Sequence, residues 1–220
     1  MRIVPFLITT AISTALVITL NTRLTIGGNE APAFGSFLSP QHGFWQNAEA
    51  VSESYTADLK FSQLNGKVDV YLDDRLVPHI FAEQENDAYF VQGFLHSKFR
   101  LWQMEFQAYA AAGRLSEILG NKDERILNFD RNMRRLGMVY AAEIALQQMN
   151  NDPVIKSQCD AYTAGVNAYI ETLTESTLPL EYKLIGYKPE KWNNLKTSLF
   201  LKYMSYDLVA HDNDSELTYA

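Results

Sequence analysis

The segment from His96 to Gly120 places the strongest constraint on the fold, because its helical pattern has two apolar sides. At 100° per residue, one side carries aromatic residues, Phe99, Trp102 and Phe106, and the other carries Leu101, Met104 and Ala108. A polar row runs between them: His96, Arg100, Gln103 and Gln107. Lys98 and Glu105 fall on nearly the opposite side. Since a surface helix needs only one apolar face, this helix is predicted to lie between two packing partners.

The composition excludes some classes of function. The 220 residues carry a formal net charge of −7, from 19 basic and 26 acidic side chains, and contain no basic block. A nucleic-acid partner is therefore not expected. The single cysteine, Cys159, excludes an intrachain disulfide and a multi-cysteine metal site. Its place in a helical pattern is typical of a small buried thiol.

The amino terminus has the pattern of an exported protein. Arg2 precedes an uncharged, mostly apolar run, Ile3–Leu20, and no acidic residue occurs before Glu30. Such a run fits the core of a signal peptide or a short membrane span, and a buried core helix is a further alternative. No small-x-small cleavage signature is evident in the stretch that follows it, "NTRLTIGGNEAP". We therefore favour an uncleaved anchor over residues 1–26, with the body in the periplasm on the inner membrane.

Two further regions follow the anchor. Residues 27–60 are rich in Gly, Pro, Ser and Asn and are predicted to form a juxtamembrane linker. Residues 61–220 contain the patterns of regular structure. The alternation in "KVDVYLDD", the turn residues "DDRLVP" and the short run "HIFAE" predict a β-hairpin. The sequence stops in "SELTYA", so the folded region is expected to be truncated at its carboxyl end.

Helical patterns occupy most of the chain after the hairpin. One helix is predicted to open at Asp87, with an interruption at Gly113 and an end at Gly120. Others are predicted from Met138 to Met149, from Pro153 to Thr172, and over "NNLKTSLFLKYMSYDLVA". The predicted fold class is therefore α+β, mostly helical with an N-terminal β-hairpin.

Local motifs for catalysis or metal binding are few. The four histidines do not stand at ligand spacing, and His79 near Asp73 is better explained as a structural residue than as a relay. Four carboxylates lie close together near the end of the chain: Asp207, Asp212, Asp214 and Glu216. Clustered oxygen donors suit Ca²⁺, but the glycine of an EF-hand loop is missing, so a solvated acidic loop is the alternative.

Four blocks in one order resemble the α-chain of the penicillin acylase (penicillin amidase) family, a family of N-terminal-nucleophile hydrolases. They are "DDRLVPHIFAEQENDAYFVQGFLHSKFRLWQMEFQAYAAAGRLSEILG", "AYTAGVNAYI", "LPLEYKLIGYKPEKW" and "NDSE". The resemblance runs from about Val68 to the end. It implies that the helices and hairpin form part of an αββα sandwich, in which Arg100 and its glutamines tie neighbouring segments together. One departure is Leu76, where the family has glycine, so a tighter or differently shaped turn is expected.

The resemblance also implies a mechanism that lies outside these 220 residues. The family's nucleophile is a serine that autoproteolysis of a zymogen exposes at the start of a downstream β-chain. Its own α-amino group acts as the general base, because an α-amine has a pKa near 8. No residue here is therefore assigned a catalytic role, and the segment alone is expected to be inactive. Its partners are expected to be the β-chain of the same precursor and a small acyl-amide substrate.

Position within the family implies four site residues. Tyr206, Val209 and Ala210 match the helix end that lines the acyl pocket, and Glu216 matches a ligand of a structural Ca²⁺ shared with the β-chain. Penicillin acylases can carry arginine and phenylalanine where this chain has Val209 and Ala210. The smaller wall leaves acyl-homoserine lactones open as substrates beside β-lactam antibiotics. The alternative class is a membrane-anchored, non-catalytic binding module.

Overall fold

The computed structural model describes residues 3–26, 29–48, 55–120 and 123–209. Their elements, in chain order, are helix α1 (Ile3–Asn21), strands β1 (Leu24–Ile26) and β2 (Asn29–Ala31), helix α2 (Phe34–Phe37), a 3-10 turn (Phe44–Asn47), strands β3 (Val68–Leu72) and β4 (Pro78–Ala82), and helices α3 (Glu85–Ala112), α4 (Leu115–Leu119), α5 (Glu124–Arg135), α6 (Met138–Asn151), α7 (Pro153–Thr172), α8 (Leu180–Ile185) and α9 (Asn194–Val209). The described part of the chain is therefore mostly helical, with two small antiparallel sheets of two strands each. A mostly helical chain with a β-hairpin agrees with the α+β prediction.

Helix α1 is long and apolar enough to cross a membrane, and none of its residues is buried. The predicted linker, residues 27–60, contains β2, α2 and the 3-10 turn among its described residues.

Strands β3 and β4 form the predicted hairpin. Val70 pairs with Ile80, and Leu72 pairs with Pro78. The inner face of the hairpin packs through Val68 and Ile80 on a cluster around Phe90. This face positions the hairpin against the start of α3.

The turn of the hairpin is organised by Asp73. Its Oδ1 accepts hydrogen bonds from the backbone N–H groups of Arg75 (2.9 Å) and Val77 (2.8 Å). These donors hold the pKa of the Asp73 carboxyl below its usual range, with Val77 as the largest contributor. Leu76 has φ +59°, in the left-handed region that favours glycine.

Replacement of Leu76 by glycine is expected to stabilise the fold by up to about 1 kcal/mol, because a left-handed conformation costs roughly 1–2 kcal/mol for a side chain with a Cβ. Part of this gain is offset by the larger entropy of glycine in the unfolded chain. Leu76 is 44% exposed, so little burial is lost. Urea unfolding measures the change, and a lower midpoint for Leu76→Gly would refute strain at this turn. Exposed Val77→Ala is the control, with an expected change within about 0.5 kcal/mol.

Helix α3 is the centre of the helical layer. It crosses α7 closely at two glycines, Gly93 and Gly165, where neither helix has room for a Cβ. At its carboxyl end α3 packs on α9 through Ala111, Ala112 and Leu199. The predicted interruption is confirmed: Gly113 ends α3 with φ +64°.

Asp130 and Asp87 are buried carboxylates that satisfy backbone donors. Asp130 accepts from the N–H groups of Leu115 (2.9 Å) and Ser116 (2.8 Å) and so fixes the start of α4. Asp87 was expected to open α3, but the helix begins at Glu85. Its carboxylate instead accepts from the N–H of Gly66 at 2.7 Å and ties the preceding loop to the helix.

Both apolar sides of the central helix contact other elements of this chain, but they are not equally buried. Leu101 and Ala108 lie in a core with Val166 and Trp192. Trp102 of the aromatic side is partly buried against the same core, where its ring meets Tyr182 edge to face at 5.1 Å, and Phe99 is 38% exposed. The helix therefore has two packing partners in this chain, α7 through Val166 and α8 through Tyr182, while its aromatic side stays partly exposed.

Within the described part of the chain, Arg100 does not tie neighbouring segments together as the resemblance implied. His96 of the polar row does, because its Nδ1 lies 3.1 Å from the Tyr162 hydroxyl of α7. His96, Arg100 and Gln103 are exposed, and Arg100 makes no hydrogen bond within the described ranges. Arg100 instead interrupts the helix, with φ −144° and ψ 19°. Glu105, predicted on the opposite polar side, is instead buried, with 1% exposure. A kink at Arg100 breaks the regular 100° rotation on which the helical wheel depends.

Candidate functional site

The predicted pocket residues lie at the carboxyl end of α9. Tyr206 is half-buried on the last turn of this helix. Val209 is the final residue of α9, and its side chain lies outside the described part of the structure, as do Ala210 and Glu216. The structure therefore places the helix that carries the predicted wall and the first of its three residues.

Helix α9 is fixed on its neighbours by buried contacts. The Ser198 hydroxyl, fully buried, donates to the Ala142 carbonyl oxygen of α6 at 2.7 Å. Leu199 is 5% exposed and packs on α3. At the amino end, the Trp192 indole N–H donates to the Thr197 hydroxyl at 2.9 Å. The helix thus has a defined place on both α3 and α6.

A buried polar network joins α9 to the centre of the fold through Glu105. One oxygen of Glu105 accepts a hydrogen bond from the Tyr182 hydroxyl at 2.6 Å. The other accepts from the backbone N–H of Glu190 at 2.8 Å and pairs with Lys196 Nζ at 3.3 Å. Lys196, 8% exposed, also lies 3.2 Å from the Glu190 carboxylate. One carboxylate therefore connects α3, α8, the loop before α9 and α9 itself.

Three further side chains extend this network toward the surface. The hydroxyls of Tyr109 and Tyr187 are 2.5 Å apart. The Arg114 guanidinium stacks on the Tyr109 ring at 4.4 Å and reaches Glu190 at 3.5 Å. Each carboxylate here faces a basic side chain, with Lys196 beside Glu105 and Arg114 beside Glu190. These pairings offset the desolvation cost of burying Glu105.

Burial raises the pKa of two tyrosines in the network well above the ordinary value of 10.0. For Tyr182 the main cause is burial, and the adjacent Glu105 carboxylate adds to it. For Tyr109 the main cause is also burial, followed by its contacts with Glu190 and Tyr187. Both hydroxyls therefore stay protonated in the folded state at pH values where an unfolded tyrosine ionises.

The fold is expected to lose stability as the pH rises above about 10. The unfolded chain then releases protons that the folded chain retains, so each such tyrosine contributes a loss of up to about 1.4 kcal/mol per pH unit. Urea midpoints between pH 9 and 11.5 measure this loss, and Tyr182→Phe should reduce its slope. Tyr140→Phe is the matched control, because Tyr140 is 68% exposed and its variant should keep the slope. Equal slopes for wild type and Tyr182→Phe would contradict the assignment.

The other candidate groups have structural roles. His79 Nε2 lies 3.7 Å from Asp73 on the exposed hairpin, which fits a structural histidine. Cys159 is half-buried, and burial raises the pKa of its thiol, so the reactive thiolate is disfavoured. Within residues 3–26, 29–48, 55–120 and 123–209, no three His, Cys, Asp or Glu side chains are grouped to hold a metal ion.

The outer face of α9 is apolar and exposed. Its residues are Phe200 (36%), Leu201 (39%), Met204 (44%) and Leu208 (76%). Within the stretch "LFLKYM", residues 199–204, Leu199 is buried and Lys202 and Tyr203 are half-buried, so the exposed surface is made by the other three. Neighbouring α6 adds Tyr140 at 68% exposure. An apolar surface of this kind on one side of a helix indicates contact with another chain or segment.

Comparison with known proteins assigns the family. The sequence profile of the penicillin amidase family matches residues 67–220, which is most of the chain. The chain belongs to the penicillin amidase family. The match begins one residue before β3 and includes every element that contacts the Glu105 network.

Similar proteins include acylases of two kinds. The chain is 35% identical over 144 residues to the penicillin acylase 2 proenzyme of Pseudomonas sp. (strain SE83), covering 66% of this chain and 18% of that protein. It is 33% identical over 135 residues to the acyl-homoserine lactone acylase QuiP of Pseudomonas aeruginosa, covering 61% and 15%. It is 29% identical over 133 residues to penicillin G acylase of Escherichia coli, covering 59% and 15%. The chain thus spans less than a fifth of these three relatives.

A solved structure has a similar fold over two thirds of the chain. The chain is similar to one chain of the thermostable penicillin G acylase from Alcaligenes faecalis, with a TM-score of 0.60 and 22% sequence identity. The superposition covers 67% of this chain and 76% of that chain. At 22% identity, this similarity shows a shared fold.

Proposed function

We propose that this chain is the N-terminal, α-chain part of a penicillin-acylase-like amide hydrolase. The family match over residues 67–220 carries the proposal, because it coincides with the helical layer that holds α9. The relatives are acylases, and one is named as a proenzyme, that is, a precursor. The hydrolase acts on carbon–nitrogen bonds of acyl amides, with a nucleophilic serine at the start of a downstream β-chain.

In the assembled enzyme the hairpin and helices belong to an αββα sandwich, and α9 forms one wall of the acyl pocket. The exposed face of Phe200, Leu201 and Met204 supports this arrangement, because it offers the β-chain an apolar surface. The other apolar side of α3 does not belong to that surface, because Leu101 and Ala108 are buried in the core with Val166. Tyr206, Val209 and Ala210 contact the acyl group.

The small residues at the end of α9 favour extended acyl chains over the side chains of β-lactam antibiotics. Val209 and Ala210 lack the bulk and charge of arginine and phenylalanine, so they leave more apolar space. The similarity to an acyl-homoserine lactone acylase supports substrates of that class. Antibiotic amides are the second candidate, supported by the penicillin acylase relatives.

The folded region, residues 61–220, lies in the periplasm, and α1 anchors it to the inner membrane. Support comes from the apolar, unburied character of α1 and from Arg2 on its amino side. With the native amino terminus in a Gram-negative host, the body should be cleaved by protease added to spheroplasts. Protection from that protease would overturn the location.

A structural Ca²⁺ bound by Glu216 is the proposed cofactor, because its acidic neighbours supply the oxygen donors that this ion prefers. In the complete precursor, Glu216→Ala should lower the melting temperature, since a metal that binds only the folded state stabilises it. Glu143→Ala, at an exposed carboxylate on α6, is the matched control. A melting curve that is the same with and without a chelator would refute the calcium proposal.

The proposed reaction is tested by expression of residues 1–220 alone and together with the coding sequence that follows. The chain alone should not hydrolyse a chromogenic acyl-anilide, because it supplies scaffold and pocket wall but no terminal serine. The processed two-chain protein should hydrolyse it, and replacement of its first β-chain serine by alanine should abolish the reaction. Activity of the isolated chain would overturn the division of roles. An inactive, unprocessed full protein would favour the non-catalytic binding module.

A further inference from the structure

The end of α1 lies against a small aromatic segment. Helix α1 has 19 residues, or about 28 Å at 1.5 Å per residue, close to the roughly 30 Å hydrocarbon core of a bilayer. Its last residue, Asn21, therefore falls at the membrane surface if the helix spans the bilayer. A Cβ on Gly35 would stand 2.6 Å from Asn21 Oδ1, so α2 touches the end of α1.

This segment, residues 34–47, has the composition of a membrane interface. It contains three phenylalanines and a tryptophan, and no Asp, Glu, Lys or Arg. The Phe44 ring lies 5.3 Å from Phe37 and 4.5 Å from Trp45. Trp45 is 58% exposed and Leu38 is 44% exposed. Tryptophan is enriched where hydrocarbon meets the headgroups, because its ring is apolar and its indole N–H is polar.

The same segment is bonded to the folded domain at its other end. Asn47 Nδ2 donates to the Leu178 carbonyl oxygen at 2.8 Å. Lys183 of α8 donates to Asn47 Oδ1 at 2.5 Å and to the Gly43 carbonyl oxygen at 3.3 Å. His42 pairs with Glu175 at 3.1 Å. These bonds attach the aromatic segment to α8 and the turn before it.

We infer that residues 34–47 form a second membrane contact, in which Trp45 and Leu38 enter the lipid interface and hold the domain in a fixed orientation on the bilayer. Lipid is identified as the occupant because the start of the segment lies against Asn21, the last residue of the candidate span. The absence of charged side chains from the segment lowers the cost of leaving water. The inference rests on the proposed retention of α1 in the membrane.

The test uses residues 1–220 in nanodiscs of phosphatidylethanolamine and phosphatidylglycerol, with and without phosphatidylcholine brominated at carbons 6 and 7. Bromine quenches tryptophan fluorescence on contact. Trp45 should lose at least half of its emission, obtained as the difference between wild type and Trp45→Phe. The remaining emission, from Trp102 and Trp192, should be unchanged by brominated lipid. Trp192 is only 5% exposed and serves as the internal control.

Bromine placed deeper, at carbons 11 and 12, should quench Trp45 less than bromine near the headgroups. Leu38→Ser should weaken the quenching of Trp45 and leave the folded domain unchanged by circular dichroism. The intact mass of the membrane-extracted chain separates the two ways to fail. A chain that has lost α1 overturns the anchor and the inference with it. A chain that retains α1 but shows no quenching of Trp45 overturns the interface contact alone.

Discussion

Replacement of Gly165 by alanine is expected to lower the free energy of unfolding by about 2–3 kcal/mol, because the two central helices are too close for a methyl group. A Cβ at Gly165 of α7 would stand 1.9 Å from the Phe90 carbonyl oxygen and 3.0 Å from the Phe94 backbone N. Both contacts are backbone atoms of α3, which cannot rotate away as a side chain can. The helices must therefore separate, and the core around Phe90 loosens.

The sign of this effect is diagnostic. Alanine in a helix interior is normally favoured over glycine by about 1 kcal/mol, so Gly165→Ala would stabilise the fold if the crossing were loose. Urea unfolding followed by circular dichroism measures the change. Glu171→Ala on the same helix, at an exposed side chain, should stay within about 0.5 kcal/mol of wild type. A midpoint for Gly165→Ala at or above the wild-type value would show that α3 and α7 are not in close contact.

Elements with a local pattern could be predicted from the sequence. Alternation over residues 68–72 and the Asp73 turn predict the hairpin, and the structure has it in register. Gly113 ends α3 as predicted, because the residue after a helix often adopts the left-handed conformation, which favours glycine. The helical pattern over "NNLKTSLFLKYMSYDLVA" likewise places Tyr206 near the end of α9. In each case, the deciding interactions lie within a few residues along the chain.

The buried Glu105 network could not be predicted in this way. Its donors, Tyr182 and Lys196, are 77 and 91 residues further along the chain, so no local spacing links them to Glu105. The helical wheel also assumes uniform rotation, which the kink at Arg100 breaks. One signal was available: an acidic residue between Met104 and Phe106 in an apolar stretch requires partners if it is buried. The sequence does not say which partners those are.

Replacement of Glu105 by alanine is expected to destabilise the fold by about 3 kcal/mol, because it leaves buried donors without their acceptor. The Tyr182 hydroxyl and the Glu190 backbone N–H each lose a hydrogen bond, and the Lys196 ammonium keeps its contacts with the Glu190 carboxylate and the Trp192 ring. Glutamine at this position keeps an acceptor oxygen but loses the charge, so Glu105→Gln is expected to cost less, about 1–2 kcal/mol.

Urea unfolding of four proteins distinguishes a charge pair from simple packing: wild type, Glu105→Gln, Lys196→Met and the double variant. If Glu105 and Lys196 act together, the double variant should be more stable than the sum of the single changes predicts, by at least about 1 kcal/mol. Glu143→Ala, at an exposed carboxylate on α6, is the control and should change stability by less than about 0.5 kcal/mol. Strictly additive losses, or a loss below about 1 kcal/mol for Glu105→Ala, would show that this network does not hold α9 on α3. A coupled loss would mean that the wall of the candidate pocket is positioned by one carboxylate in the middle of the fold.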